Sequence, residues 1–242
     1  MNQLTPIIPI SSLALSLVPV FVVISILFCW TRSHGNAIYA IFHMLIQLLL
    51  IGHFLMYLFG SDNVYIISAV LILMITISSW ISMRELKTKN SRIYLNIVIS
   101  ILTGGGLTLA LVTFAVLDLQ PWYAPNYIIP LASMIFANAM NTLSLAAERQ
   151  EAELTRGVQG QEARNIAFKA SLIPITNSMF AVGLVSLPGM MTGQILSGVS
   201  PLIAARYQIM VMSMLYGSSG ISAALYLFLS RGEMITENKL LP

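Results

Sequence analysis

Apolar residues along this chain come in continuous runs of roughly twenty, separated by short polar breaks, and do not alternate residue by residue. A run of that length crosses a bilayer as one helix, whereas a membrane β-barrel needs alternating strands of about ten residues. The pattern predicts an all-α polytopic membrane protein with about seven spans, at residues 12–31, 37–59, 64–83, 94–117, 126–147, 170–197 and 205–229. The sixth is overlong and is interrupted by Pro174 and by Pro188-Gly189, which leaves it bent, broken or partly re-entrant. Non-helical backbone at that depth is tolerated only where protein buries it or where it lines a cavity.

Composition agrees. Of 242 residues, 57% are apolar and 9% charged, with a mean hydropathy of +0.84; a soluble domain carries about 25% charged residues. The expected organisation is a single transmembrane domain over 1–242. No Lys or Arg precedes Arg32, so the first run lacks the basic start of a cleaved signal peptide and is expected to be a retained span. Cys29 is the single cysteine, so no disulfide framework exists. The net charge of +3 gives no reason to expect nucleic acid as a partner.

Where the charge sits matters more. With the N-terminus outside, the cytoplasmic segments are those at Arg32, at Arg84 to Arg92, at Arg149 to Lys169 and after Arg231, holding eleven of the twelve Lys and Arg residues. Arg206 alone falls outside. The positive-inside bias therefore predicts N-out, C-in. Lys87, Lys89, Arg84 and Arg92 read most simply as an anchor of this kind.

One segment concentrates charge. Glu148 to Lys169 holds eight of the 21 charged side chains, including Glu148, Arg149, Glu151, Glu153, Glu162 and Arg164. Apolar and small residues recur through it at helical spacing, and Gly157 and Gly160 interrupt it. The expected structure is two short amphipathic helices joined by a glycine turn and lying on the inner membrane face. Such a segment is either an ordinary solvated connector or a docking element for a soluble partner.

Inside the spans there is no Asp or Glu, although Asp118 and Glu148 stand at span ends. Ion-coupled carriers usually keep an intramembrane carboxylate, so the pattern favours an external energy source. It also disfavours a tight site for a hard cation. Asn138 and Asn141, three apart on one face, either hydrogen-bond a neighbouring helix or line a polar path. Met190, Met191 and Gln194 are further path candidates; adjacent Met190 and Met191 point about 100° apart on an intact helix. Gly189 and Gly193 form a Gly-x-x-x-Gly pair for close helix approach, or a hinge together with Pro188. His43 and Gln47 share a face of the second span, as a hydrogen-bonded pair or as substrate contacts. Gly104-Gly105-Gly106 reads as a close-packing or kink site. No nucleophile–base set appears, and an enzyme is not expected.

Three stretches resemble a known family: Asn138-Ala139-Met140-Asn141 through Glu148-Arg149; Gly183-Leu184-Val185-Ser186-Leu187-Pro188-Gly189-Met190-Met191-Thr192-Gly193-Gln194-Ile195-Leu196; and Tyr207-Gln208-Ile209 with Val211-Met212. Together they look like the FetB-type permeases, membrane subunits of ABC transporters linked to iron export in bacteria and aluminium tolerance in plants. The likeness runs over most of the chain and is densest from Ile129 to Gly217. Glu151-Ala152, followed by Gly157, also sits at the spacing of the Glu-Ala-Ala-x-x-x-Gly loop of ABC permeases, with Glu153 in place of the second Ala. The resemblance implies an ATPase-coupling role for Glu148, Arg149, Glu151, Glu153, Gly157, Glu162 and Arg164, and a homodimer of this chain with a separate ABC-type ATPase subunit. It further implies ATP and Mg on that partner with no cofactor on this chain, export of iron or another metal, and a multi-pass location in a bacterial inner membrane. The family usually has Arg where this chain has His43, so a role needing permanent positive charge there is not implied. The chain itself has no Gly-x-x-x-x-Gly-Lys-Ser/Thr phosphate loop. A stand-alone carrier or channel is the alternative.

Overall fold

A computed structural model describes residues 9–31, 34–60, 63–84, 86 and 89–230. Regular structure among them is helical, apart from an isolated bridge between Val182 and Ser186. Arg32, Lys87 and the tail from Arg231, on which part of the orientation argument stands, lie outside the described residues. The chain divides into two compact units, Met1–Gly60 and Ser61–Pro242.

In the first unit, α1 (Ile10–Leu15) leads through a turn into α2 (Val18–Thr31), which packs on α3 (His34–Phe59). The second unit holds α4 (Val64–Met83), α5 (Ser91–Leu111) with a π-helical turn at Val112–Val116, α6 (Pro125–Thr155), α7 (Gly160–Ala181), α8 (Gly189–Leu196) and α9 (Pro201–Leu229). Asn side chains start two of these: Asn63 accepts from the Tyr65 N–H at 2.9 Å, and Asn90 from the Ile93 N–H at 2.7 Å.

Helix α6 is the hub, packed on α4, α5, α7 and α9, while α9 also lies against α5, α7 and α8. Ile97 and Ile101 of α5, Ile135, Phe136 and Leu143 of α6, and Tyr226 of α9 are fully or almost fully buried. The glycine run explains how closely α5 approaches. A Cβ on Gly104 would lie 2.7 Å from the Ser222 backbone nitrogen and 3.1 Å from the Ser218 carbonyl oxygen; one on Gly105 would lie 2.9 Å from the Phe136 ring. The run is a packing site, with α5 continuing straight through it.

Among the described residues, six helical segments are long and apolar enough to cross a membrane: Ser11–Trp30, Gly35–Phe59, Val64–Met83, Ser91–Val116, Pro125–Thr155 and Pro201–Leu229. They match six of the seven expected spans. The sixth expected span, 170–197, is broken. Helix α7 continues through Pro174 and stops at Ala181; a turn follows, with Gly183 at φ +86° and its N–H on the Ser186 carbonyl at 2.9 Å, before Pro188 opens α8. Only residues 170–181 of α7 are free of charge, about 18 Å of helix against a hydrocarbon core of about 30 Å. The interruption therefore belongs to the Gly183–Pro188 region, not to Pro174.

The charged segment also differs from its expected form. Its first half is the end of α6 and its second half the start of α7. At 31 residues α6 is about 46 Å long, so it runs past the hydrocarbon and carries the charged residues on the same rod. The apolar seam that packs α6 does not stop where charge begins, and the helix does not stop either.

Candidate functional site

The charged hairpin is built around a helix terminator at Gly157. The Val158 N–H reaches the Glu153 carbonyl at 3.1 Å and the Gly157 N–H the Leu154 carbonyl at 3.0 Å, with Gly157 at φ +83°. This is a Schellman ending, which needs a left-handed residue where glycine carries no Cβ penalty. The chain reverses over Val158 and Gln159, and α7 begins at Gly160 with Glu162 in its first turn, where the positive helix end favours a carboxylate. Small buried residues at four-residue spacing, Ala163, Ala167 and Ser171, hold α7 against its neighbours, chiefly α6.

Side-chain positions separate the predicted residues into two sets. Glu148, Gly157 and Glu162 are exposed, and Glu151 and Arg164 half-buried. Glu153 is not a surface residue. Its side chain is 7% exposed and accepts from Arg149 at 2.6 Å and Arg156 at 3.1 Å. Both contacts fall on Oε1, so one carboxylate oxygen ties two arginines of the hairpin together. Beside it, Gln150 is buried with Oε1 unpartnered, and the Arg149 Nε is likewise buried without an acceptor. Sequence reasoning missed Gln150. The signal was present in the buried series Ala139, Leu143, Ala146, Gln150, Glu153, which keeps helical phase across the onset of charge.

Within the apolar stretches, the remaining candidates fall on four helices. On α6, Asn138 is half-buried and donates through Nδ2 to the Met134 carbonyl at 3.0 Å, while Asn141 is exposed. On α8, Met190, Met191 and Gln194 are half-buried, and Gln194 Oε1 is enclosed without a partner. On α9, which packs on α8, Gln208 is buried with its Oε1 in the same condition. On α3, His43 and Gln47 are exposed, with the Tyr39 ring 5.8 Å from that of His43. The structure thus brings α8 to α9.

Gly189 and Gly193 are exposed, with nothing within 4 Å of a Cβ built on either. Within the described chain they make no close helix contact. Pro188 is the extended residue that precedes α8, with φ −62° and ψ 147°, as a stiff corner requires. Among the described residues, no group of three or more His, Cys, Asp or Glu is placed to hold a metal ion.

The model of the "Uncharacterised protein family (UPF0014)" matches residues 11–235. The chain is 34% identical over 203 residues to "UPF0014 membrane protein slr1647" of Synechocystis, covering 78% of each. It is 30% identical over 237 residues to "Probable iron export permease protein FetB" of Escherichia coli, covering 90% of this chain and 89% of that one. It is 29% identical over 222 residues to "Protein ALUMINUM SENSITIVE 3" of Arabidopsis thaliana, covering 84% and 80%. No solved structure matches.

Proposed function

The chain belongs to the UPF0014 family of membrane proteins, and from that premise we propose that it is the permease subunit of an ABC transporter. Two copies would span a bacterial inner membrane, N-out and C-in, each seating its α6–α7 hairpin on a separate ATPase subunit that binds ATP and Mg. The observation that carries the reading is the hairpin of α6 and α7, closed by the left-handed Gly157. It projects Glu148, Gly157 and Glu162 beyond the apolar part of α6 while Glu153 braces it from inside. Because α6 runs unbroken from that tip to Asn138 and Asn141, movement of the ATPase pair would reach the membrane-embedded residues without an intervening hinge. Export of iron or another metal is the cargo reading, supported by the printed name of the E. coli relative.

Co-expression with ABC ATPases from the same cell tests this. The chain is expected to co-purify with one of them in detergent, and the double variant Glu151→Arg, Gly157→Pro to lose it. A chain that transports at full rate with the ATPase deleted overturns the reading.

A second reading, a stand-alone carrier, draws on the break at Gly183–Pro188 beside the unpartnered Gln194 and Gln208 oxygens, since interrupted helices form the binding sites of many secondary transporters. Transport by the reconstituted chain under an ion gradient alone would favour it.

A further inference from the structure

Buried hydroxyls in the helices of the second unit mostly follow one rule. Ser79 bonds the Ile75 carbonyl at 2.8 Å, Ser100 the Asn96 carbonyl at 2.6 Å, Thr108 the Gly104 carbonyl at 2.7 Å and Ser171 the Phe168 carbonyl at 2.9 Å. That option is open to a serine or threonine on any helix, and it removes the need for an outside partner. Helix α9 keeps to it at Ser218, which bonds the Leu215 carbonyl at 3.2 Å, and then departs from it. Ser219 and Ser222 are fully buried with Oγ unpartnered, and Gln208 is buried with Oε1 unpartnered. On the π-helical turn that extends α5, Thr113 is buried with its hydroxyl in the same condition. Among the described residues, no buried side-chain oxygen is left over in this way on α4, on α7, or on α6 before Glu148.

The three α9 residues form a row. At about 100° and 1.5 Å per residue, Gln208, Ser219 and Ser222 fall within roughly 60° of one another along about 21 Å of helix. Buried Val211 and Leu215 lie on the same strip, and α9 packs on α5, α6, α7 and α8, all of its own unit. No group outside the unit reaches these oxygens in this state. At Ser222 the seam is too tight for water as well. A Cβ on Gly104 would lie 2.7 Å from the Ser222 nitrogen and would also meet its Oγ, so nothing the size of a water fits between the two helices there. A buried polar group without a partner is costly, above all in hydrocarbon. The row sheds that cost if the seam parts and water enters.

The lining suits one kind of solute. The Gln208 oxygen can only accept, and the hydroxyls accept or donate. Helix α5 carries no charge after Arg92 and α9 none after Arg206. Neutral oxygens without a fixed positive charge favour a hydrated cation over an anion, and the lack of a carboxylate keeps it weakly held, as passage requires.

We propose that the α5–α9 seam is a closed slot that opens during transport and passes a hydrated cation along Gln208, Ser219 and Ser222. This rests on the transport part of the reading above and places the path within one chain.

Single cysteines in a Cys29→Ser background, probed with a water-soluble maleimide in native membranes supplied with ATP, test the slot. Gln208→Cys and Ser219→Cys are expected to react roughly tenfold faster than Ile97→Cys and Leu143→Cys, because a thiolate forms only where water reaches it; the two controls are as deeply buried. Ser219→Cys reacting no faster than Ile97→Cys, with or without ATP, overturns the slot and leaves the permease reading standing. Fast labelling together with undiminished transport after deletion of the ATPase keeps the slot and removes the ATP-driven permease. As a second measurement, Ser219→Ala combined with Ser222→Ala is expected to melt in detergent at or above the wild-type temperature, since two unpaired groups are gone. Iron(II) efflux from cells should fall roughly tenfold in the same variant. A lower melting temperature with efflux unchanged makes the row structural and overturns the proposal.

Discussion

Replacing Glu153 with alanine removes a carboxylate that contacts two arginines, Arg149 and Arg156, near the tip of the α6–α7 hairpin. The Arg149 contact, 2.6 Å long, joins a 7% exposed carboxylate to a guanidinium group that is 39% exposed. A charged hydrogen bond of this kind contributes about 1.5–3 kcal/mol, and the exposure of Arg149 puts it at the lower end. Arg156 is 64% exposed, and its 3.1 Å contact adds about 0.5 kcal/mol. The loss is therefore about 2 kcal/mol of hairpin stability, or roughly a 30-fold rise in the population that opens locally. The Schellman bond from Val158 survives, since it uses the Glu153 backbone carbonyl. Hydrogen–deuterium exchange of residues 150–165 in detergent reads this directly. Protection should fall there by about that factor and stay unchanged in α4 and α9. Glu153→Gln, which keeps the shape and one acceptor, should lose about half as much in free energy. Exchange at the wild-type rate in Glu153→Ala would refute the bracing role and return Glu153 to the exposed surface.

Two glycine comparisons follow from the same geometry. Gly104→Ala should destabilise the protein by about 1–3 kcal/mol, because its Cβ meets the Ser222 backbone and the two helices must part; Gly193→Ala, with open space around its Cβ, should change stability by less than about 0.5 kcal/mol. Equal effects on thermal aggregation in detergent would contradict the packing of α5 on α9. Gly157→Ala has room for its Cβ but adopts φ +83°, so strain alone should cost about 1 kcal/mol. Faster exchange confined to the hairpin tip would show it, and no change at the tip would count against the left-handed ending.

Much of the fold was legible because hydrocarbon is an unforgiving solvent. Twenty apolar residues in a row have one stable way through it, so the helix at 64–83 could be placed to the residue and the one at 205–229 to within four, while Pro174, Pro188-Gly189 and the excess length of the sixth segment left it open as bent, broken or partly re-entrant. Gly157 was readable for the same kind of reason, since a reversal between two helices needs a left-handed residue. These are local constraints, imposed by solvent and backbone on a few neighbours in sequence.

What the sequence by itself could not determine depends on which helix faces which. It placed eight charges between Glu148 and Lys169 but not their roles. Glu153 and Glu151 look alike in a string of letters, and only the rotation of α6 against α7 buries one and leaves the other accessible. Pro174 looked as disruptive as Pro188, yet α7 passes through it. The Gly-x-x-x-Gly pair at Gly189 and Gly193 carried the familiar packing signature, whereas the close contact lies at Gly104, where α9 presents Ser218 and Ser222. The Asn138–Asn141 stripe was visible from spacing, but that Asn138 turns its amide back onto the Met134 carbonyl was not. Periodicity establishes that a helix has a face; the neighbours that cover it, or fail to, are decided by packing across distant parts of the chain.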